Sequence, residues 1–349
     1  MRPEAVAALL AAAPTYLGTS HRQEPVRAVV RRLREGLAEL FSLPDGYEVV
    51  LGNGGAAYFW DVATFWLIER RSQHLVFGQF SSTFAKIAAA APHLDEPEVL
   101  KSEYGTHPDA RVSDGVDAYA ITHNETSTGV AMDVRRPDGP ESALVAVDAT
   151  SAAGGIVVDP AEFDAYYFAP QKCFASDGGV WIALLSPAAV DRTERLAAAG
   201  RWSPAALNLP AAIEQSRLNQ TYNTPALATL FLFADQLDWI LGQGGLKWAA
   251  DRSATSTSTI YEWAERSDYA TPFVADPADR SPVVATVDLD DTVDAGAVSK
   301  VLRANGIVDT DSYRGLKRNQ LRIACYPAVA PEDVGALVRA VDWVVERLS

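Results

Sequence analysis

Apolar positions 26, 29, 30, 33, 37 and 40 recur at helical spacing and predict an amphipathic helix over residues 25–40. A short apolar strand follows over residues 47–51, running into the small-residue turn Gly52-Asn53-Gly54-Gly55. The next apolar set, from Phe59 to Ile68, again has a helix period. The alternation continues. Residues 75–84 read as a strand entering a helix, with Phe80 at the junction, and strands are predicted over 118–122, 143–147 and 164–169. Strands alternating with helices between about 47 and 200 predict a parallel sheet wrapped by helices. Their polar residues gather after the strands, where open α/β sheets bind ligands. Beyond Ser203-Pro204 the chain turns helical, with a polar interruption over 219–225 after which Pro225 is expected to open a helix. From Gly242 onward a long helix precedes a smaller unit with strands at 283–289 and 320–325 and helices at 293–305 and 332–348. The expected organisation is α/β: a helical segment over 1–14, interrupted by Pro14, a large domain over 15–240 and a small C-terminal α/β domain over 241–349.

Composition narrows the functional classes. With 48% hydrophobic and 21% charged residues, the 349-residue chain has the make-up of a globular protein with substantial cores. A net charge of −15 argues against nucleic acid and anionic membranes as partners, although a local arginine cluster can still serve an anionic substrate. Two cysteines, Cys173 and Cys325, offer neither a disulfide framework nor metal-ligand spacing, which points to a reducing cytoplasm. The Ala-rich opening lacks the basic start of a signal peptide and is too short to span a membrane.

The candidate chemistry centres on residues 164–179, an apolar and aromatic strand followed by one lysine, Lys172, and then Asp177-Gly178-Gly179. A lysine held beside a buried strand loses hydration, so its pKa falls and its amine becomes a nucleophile. Schiff-base formation with a carbonyl or with pyridoxal phosphate is the chemistry that wants such a group, and a snorkelling lysine is the structural alternative. Asp148 ends the strand over 143–147 and is followed by small residues. Pyridoxal phosphate needs a carboxylate at its ring nitrogen, and acid at the end of one strand with lysine at the end of the next but one suits that cofactor. His21 and Arg22 lie at a helix entrance, where they can meet an oxyanion; alone, they are a surface pair. The turn at 52–55 ahead of a helix is a weak anion-cradle signal, matching neither a Walker loop nor a dinucleotide fingerprint. Phe80 is placed to stack on a planar ring, and Asn124 and Thr126 to bond a ligand oxygen. His123 and Glu125 lack further ligands for a metal, so none is expected.

Seven pieces in chain order resemble one family: Gly18-Thr19-Ser20-His21-Arg22, Gly52-Asn53-Gly54-Gly55, residues 123–129, Asp148-Ala149-Thr150, Phe168-Ala169-Pro170-Gln171-Lys172, residues 219–225 and Asn319-Gln320-Leu321-Arg322. The chain resembles, over almost its whole length, the phosphoserine aminotransferases, class V aminotransferases of fold type I, in their actinobacterial branch. The resemblance implies the fold type I transferase architecture of pyridoxal phosphate enzymes, with a mostly parallel seven-stranded sheet and a smaller C-terminal α/β domain. It implies pyridoxal 5′-phosphate carried covalently by Lys172, which also shuttles a proton. Asp148 is implied at the ring nitrogen, Phe80 on the ring where many relatives use tryptophan, and Thr126 near the ring hydroxyl. Ala56, Ala57 and Gln171 are implied at the phosphate, joined by Asn223 and Thr224 from the other subunit of a homodimer. Arg322 is implied at the substrate α-carboxylate, and His21 and Arg22 at the distal phosphate or the glutamate γ-carboxylate. Tyr313, Arg314 and Arg318 lie where relatives carry a His-Arg pair donated across the interface. The implied reaction moves the amino group of glutamate to 3-phosphohydroxypyruvate for serine biosynthesis; a phosphorylated four-carbon keto acid of pyridoxine biosynthesis is a further candidate. Three departures stand out. Ala57 replaces an arginine of many relatives, the spacing from Arg314 and Arg318 to Arg322 differs, and the Ser-Gly-Pro segment before the first helix is missing, which implies a thinner wall and reduced activity. The alternatives are another class V activity, such as an alanine–glyoxylate-type aminotransferase or a cysteine desulfurase, and a non-catalytic binding protein on the same fold.

Overall fold

The computed structural model describes residues 1–140 and 142–348. The large sheet has seven strands in the order β1-β9-β8-β7-β4-β2-β3. These are β1 (Glu48–Asn53), β2 (Ser72–Val76), β3 (Glu98–Lys101), β4 (Ala118–Thr122), β7 (Leu144–Asp148), β8 (Ala165–Phe168) and β9 (Val180–Leu185). From β3 to β8 every neighbouring pair is parallel, and β9 runs antiparallel to both β8 and β1. The expected mostly parallel seven-stranded sheet is therefore present. Strands β7, β8 and β9 are buried at every position, which is why they read as unbroken apolar runs rather than as alternation. Between β4 and β7 lies a two-residue hairpin, β5 (Asn124–Glu125) with β6 (Val130–Ala131).

Helices cover both faces. On one, α2 (Glu24–Leu40) and α7 (Leu227–Gln243) join a core containing Leu33, Leu37, Phe168, Phe233 and Leu237. On the other, α3 (Ala56–Trp66), α4 (Gln79–Ala90), α5 (Pro187–Ala198) and α6 (Leu209–Arg217) contribute Phe59, Trp66, Phe84, Ala189 and Ile213. Each such fully buried large side chain contributes about 1.5–3 kcal/mol. The N-terminal α1 (Pro3–Tyr16) packs on this unit, its Tyr16 hydroxyl donating to the Leu227 carbonyl at 3.0 Å. Contrary to expectation, the helix continues through Pro14, since a missing bond this close to the C-terminus costs little backbone pairing.

The C-terminal part builds a second core. An antiparallel sheet of β10 (Ala270–Pro272), β11 (Val284–Leu289) and β12 (Gln320–Ala324) packs with α8 (Gly245–Arg266), α9 (Ala295–Ala304) and α10 (Pro331–Leu348). Helix α8 belongs to both units. Leu246 and Ala249 in its first turns join the large core, while Ile260 and Trp263 join the small one. Among the described residues no helix is long and apolar enough to cross a membrane.

Three local expectations need correction. The strand β1 continues through Gly52 to Asn53 because it pairs with β9 as far as Val180. Gly52 is required there, since a Cβ would lie 2.0 Å from the Trp181 ring, and the turn shrinks to Gly54-Gly55. Pro225 does not open α7: Ala226 after it is still extended (ψ 96°), and the helix starts at Leu227. Finally, β8 follows β7 directly in the chain and pairs with it, so acid and lysine follow consecutive strands rather than alternate ones.

Candidate active site

The ends of β4 and β7, the turn after β8 and the starts of α3 and α4 enclose a cavity of about 240 Å³. Its walls include Ala56, Ala57, Phe80, Thr126, Asp148, Gln171 and Lys172, so seven of the predicted cofactor residues meet in one place. A larger hollow of about 630 Å³, around His107 and Arg136, contains none of them.

Lys172 sits in a tight turn in which the Ala175 amide donates to its carbonyl at 2.9 Å and the Ser176 amide to that of Pro170 at 3.1 Å. Ala175 accepts a left-handed conformation (φ 46°) to close this turn. Among the described residues the Lys172 amine has no hydrogen bond and no ion pair. Burial pushes its pKa down, and the Arg322 guanidinium adds to the shift, against a smaller opposing effect of Cys173.

Asp148 is 4% exposed. Its Oδ1 accepts from the Thr150 amide at 3.0 Å and the Thr150 hydroxyl at 2.5 Å, and its Oδ2 from the Trp60 indole at 2.8 Å. Burial raises its pKa, and the Thr150 and Trp60 donors oppose the rise.

Two helix N-termini reach the cavity and differ in one respect. That of α4 is filled: the buried Glu125 carboxylate accepts from the Ser81 amide and hydroxyl, both at 2.9 Å, and from the Ser127 hydroxyl at 2.6 Å. Gly78 makes room for it, since a Cβ would lie 2.2 Å from Glu125 Cγ. The N-terminus of α3, by contrast, has Gly55 as its cap residue and no side-chain cap, which leaves its amides open to an anion. Glu125 is thus a helix cap, and His123, whose Nδ1 lies 3.0 Å from the Tyr166 hydroxyl, is a buried imidazole with its pKa pushed down to about 4 by desolvation.

Phe80 forms one wall of the cavity. Thr126 donates to Ser151 Oγ at 2.7 Å, and the Asn124 amide, also bonded to Ser151, has one polar atom buried without a partner. Arg322 on β12 reaches the Thr126 carbonyl at 3.4 Å and lies 5.6 Å from the Tyr313 ring, which meets Phe80 edge-on at 5.7 Å.

The remaining predicted residues stand apart from the cavity. Asn223 and Thr224 are exposed and tied to the end of β1: Asn53 Oδ1 accepts from the Asn223 amide at 3.3 Å, and Asn53 Nδ2 donates to the Thr224 carbonyl at 3.0 Å. His21 Nδ1 lies 3.2 Å from the Thr224 hydroxyl, and Arg22 donates to Gln220 at 2.7 Å. Arg318 is ion-paired with Asp288 and stacked 4.4 Å over Phe273, whereas Arg314 is exposed and makes no ion pair among the described residues. Sequence reasoning missed Trp60 and Thr150 as partners of Asp148. The available signals were an indole one turn into the helix after the glycine-rich turn and a hydroxyl two residues past the acid.

The family model described as aminotransferase class-V matches residues 9–310. The chain belongs to the class V aminotransferases. Among curated relatives, this aminotransferase is 62% identical to the phosphoserine aminotransferase of Nocardioides sp., covering 98% of this chain and 92% of the relative. It is 56% identical to that of Rhodococcus jostii, over 100% of this chain and 94% of the relative. Among solved structures, a phosphoserine aminotransferase from Cytophaga hutchinsonii superposes with a TM-score of 0.88 at 26% identity, over 97% of this chain and 93% of that one. The cofactor of the family is pyridoxal 5′-phosphate, and the residues present fit it. An uncapped helix N-terminus offers amides to the phosphate, a buried carboxylate faces the cavity, the Asn124 carboxamide oxygen is buried without a partner, and among the described residues the Lys172 amine has none.

Proposed function

We infer that this aminotransferase moves the amino group of L-glutamate to 3-phosphohydroxypyruvate, giving O-phospho-L-serine and 2-oxoglutarate, as its relatives' names indicate for them. The observation that carries the reading is the unpaired, pKa-lowered Lys172 amine in the same cavity as Asp148 and the uncapped α3. Bound pyridoxal phosphate supplies a ring that draws off the electron pair left at the substrate Cα. The chain's own groups do the rest. Lys172 holds the cofactor and then, through Nζ, takes the Cα proton and returns it on the far side of the exchange. Asp148 would hold a proton on the ring nitrogen, Phe80 would cover the ring face, and the Asn124 carboxamide oxygen, beside Thr126, would accept from the ring hydroxyl. The amides of Ala56 and Ala57 and the Gln171 side chain hold the phosphate.

Arg322 takes the substrate α-carboxylate, since it lies against Thr126 at the cavity wall and its planar fork matches a carboxylate. Arg314, unpaired, is freer than Arg318 to meet the distal phosphate or γ-carboxylate, together with His21 and Arg22. Asn223 and Thr224, held out by Asn53, complete the phosphate site of a second copy in a homodimer. A desulfurase is disfavoured: Cys173 and Cys325 are both buried, and burial pushes both thiols up, that of Cys325 to about 12.

The test is the visible spectrum of the purified enzyme. Glutamate is expected to bleach its yellow band and 3-phosphohydroxypyruvate to restore it; a band unmoved by glutamate would contradict the donor. For Arg322→Lys, the KM for glutamate is expected to rise about tenfold to a hundredfold with kcat changed less, since a point charge replaces a bidentate fork. An unchanged KM in steady-state assays would remove Arg322 from that role.

A further inference from the structure

We propose that Trp60 is a positioning residue for the cofactor: its indole N–H fixes the Asp148 carboxylate so that one lone pair of Oδ2 stays aimed at the ring nitrogen. A carboxylate offers about four lone-pair sites. Three are filled here, two on Oδ1 by the Thr150 amide and hydroxyl and one on Oδ2 by Trp60 Nε1 at 2.8 Å. The one remaining site is on Oδ2, the atom that Trp60 holds, and both residues line the same cavity. Trp60 is itself immobilised. It is 5% exposed and its ring lies stacked on Phe84, 6.2 Å between centroids with 14° between planes. Both Thr150 bonds converge on Oδ1, so they anchor one end of the carboxylate and leave Oδ2 to Trp60 alone. Without the indole N–H, the direction of the free lone pair is no longer set and a buried anion loses a donor where burial already works against it. The inference rests on the reading that Asp148 meets the ring nitrogen, and adds what aims it.

The experiment compares two ligands on cofactor-stripped protein: pyridoxal 5′-phosphate, and its 1-deaza analogue, in which carbon replaces the ring nitrogen. Dissociation constants are measured by absorbance titration for the wild type, Trp60→Phe and Asp148→Asn. Trp60→Phe is expected to weaken pyridoxal phosphate about tenfold, the size of one charge-assisted hydrogen bond, and to leave the analogue unaffected. A merely packing role would weaken both ligands alike. Equal losses, or no loss for either, overturn the proposal. Asp148→Asn separates the two levels. If it discriminates between the ligands and Trp60→Phe does not, only the role of Trp60 fails; if it does not discriminate, the Asp148 reading fails with it. Should Trp60→Phe not fold, placing 3-benzothienylalanine at position 60 keeps the bicyclic shape, replaces only the N–H by sulfur, and is judged by the same outcomes.

Discussion

Lys172→Ala is expected to lower kcat by about 10⁴-fold or more, because the proposed role makes it both the covalent tether and the positioned proton carrier, and such a carrier alone contributes up to about that factor. No yellow band is expected to stay with the protein once excess pyridoxal phosphate has been added and the free cofactor removed by gel filtration. Folding should not suffer. Among the described residues the amine has no partner, and burial lowers its pKa, so the folded state disfavours its charge and alanine removes that burden. A lysine whose folded pKa is depressed costs stability at every pH below its ordinary unfolded value, and in full below the folded one, so the variant without cofactor should melt at or above the wild-type apoprotein at neutral pH. Calorimetry and steady-state assays check both halves. A variant that keeps its turnover would sink the assignment, and one that loses turnover but melts far lower would mean that Lys172 is structural. In the cofactor-free wild type, the Lys172 amine is expected to lose its proton below the ordinary lysine range, read by the pH dependence of its reaction with an aldehyde.

Asp148→Asn should cost about 10²–10³-fold in kcat, the scale of losing one preorganised electrostatic group. The shape is kept, but the amide carries two N–H donors into a site where Trp60 and Thr150 already donate. One donor must then face another or turn into the cavity, and the ring nitrogen loses its anion. The variant is therefore also expected to shed cofactor on dialysis, followed as loss of visible absorbance. A kcat within about threefold of wild type would be far smaller than any electrostatic role allows and would remove Asp148 from the mechanism.

How much of this could be read from residues alone depended on range. Strands β7 and β8 were legible because full burial writes an unbroken apolar run followed by small residues, and Asp148 and Lys172 stand at those breaks. The end of β1 was not, because Gly52 and Asn53 look like turn residues until β9 pairs with them. Trp60 was hidden by its own bulk, since an indole at helical spacing is explained by packing and nothing local shows its N–H meeting Asp148. Arg314 and Arg318 look alike in sequence. What separates them is Asp288 and Phe273, which lie 30 or more positions earlier in the chain and come within reach only through the small sheet. The open and filled helix ends were likewise indistinguishable, because the filling carboxylate of Glu125 comes from a different element.

Helix α8, rooted in one core and ending in the other, fixes how far apart the two cores stand. Its 22 residues span about 33 Å at about 1.5 Å per residue. A tilt of only about 3° at its root therefore sweeps the far end by about 1.7 Å, on helix geometry alone. Gly244 and Gly245, both at positive φ, make the turn from α7 into α8, and the sheet carrying Arg322 packs on the far end of α8. The separation of Arg322 from Lys172 therefore depends on the direction in which α8 leaves that two-glycine turn, far from either residue.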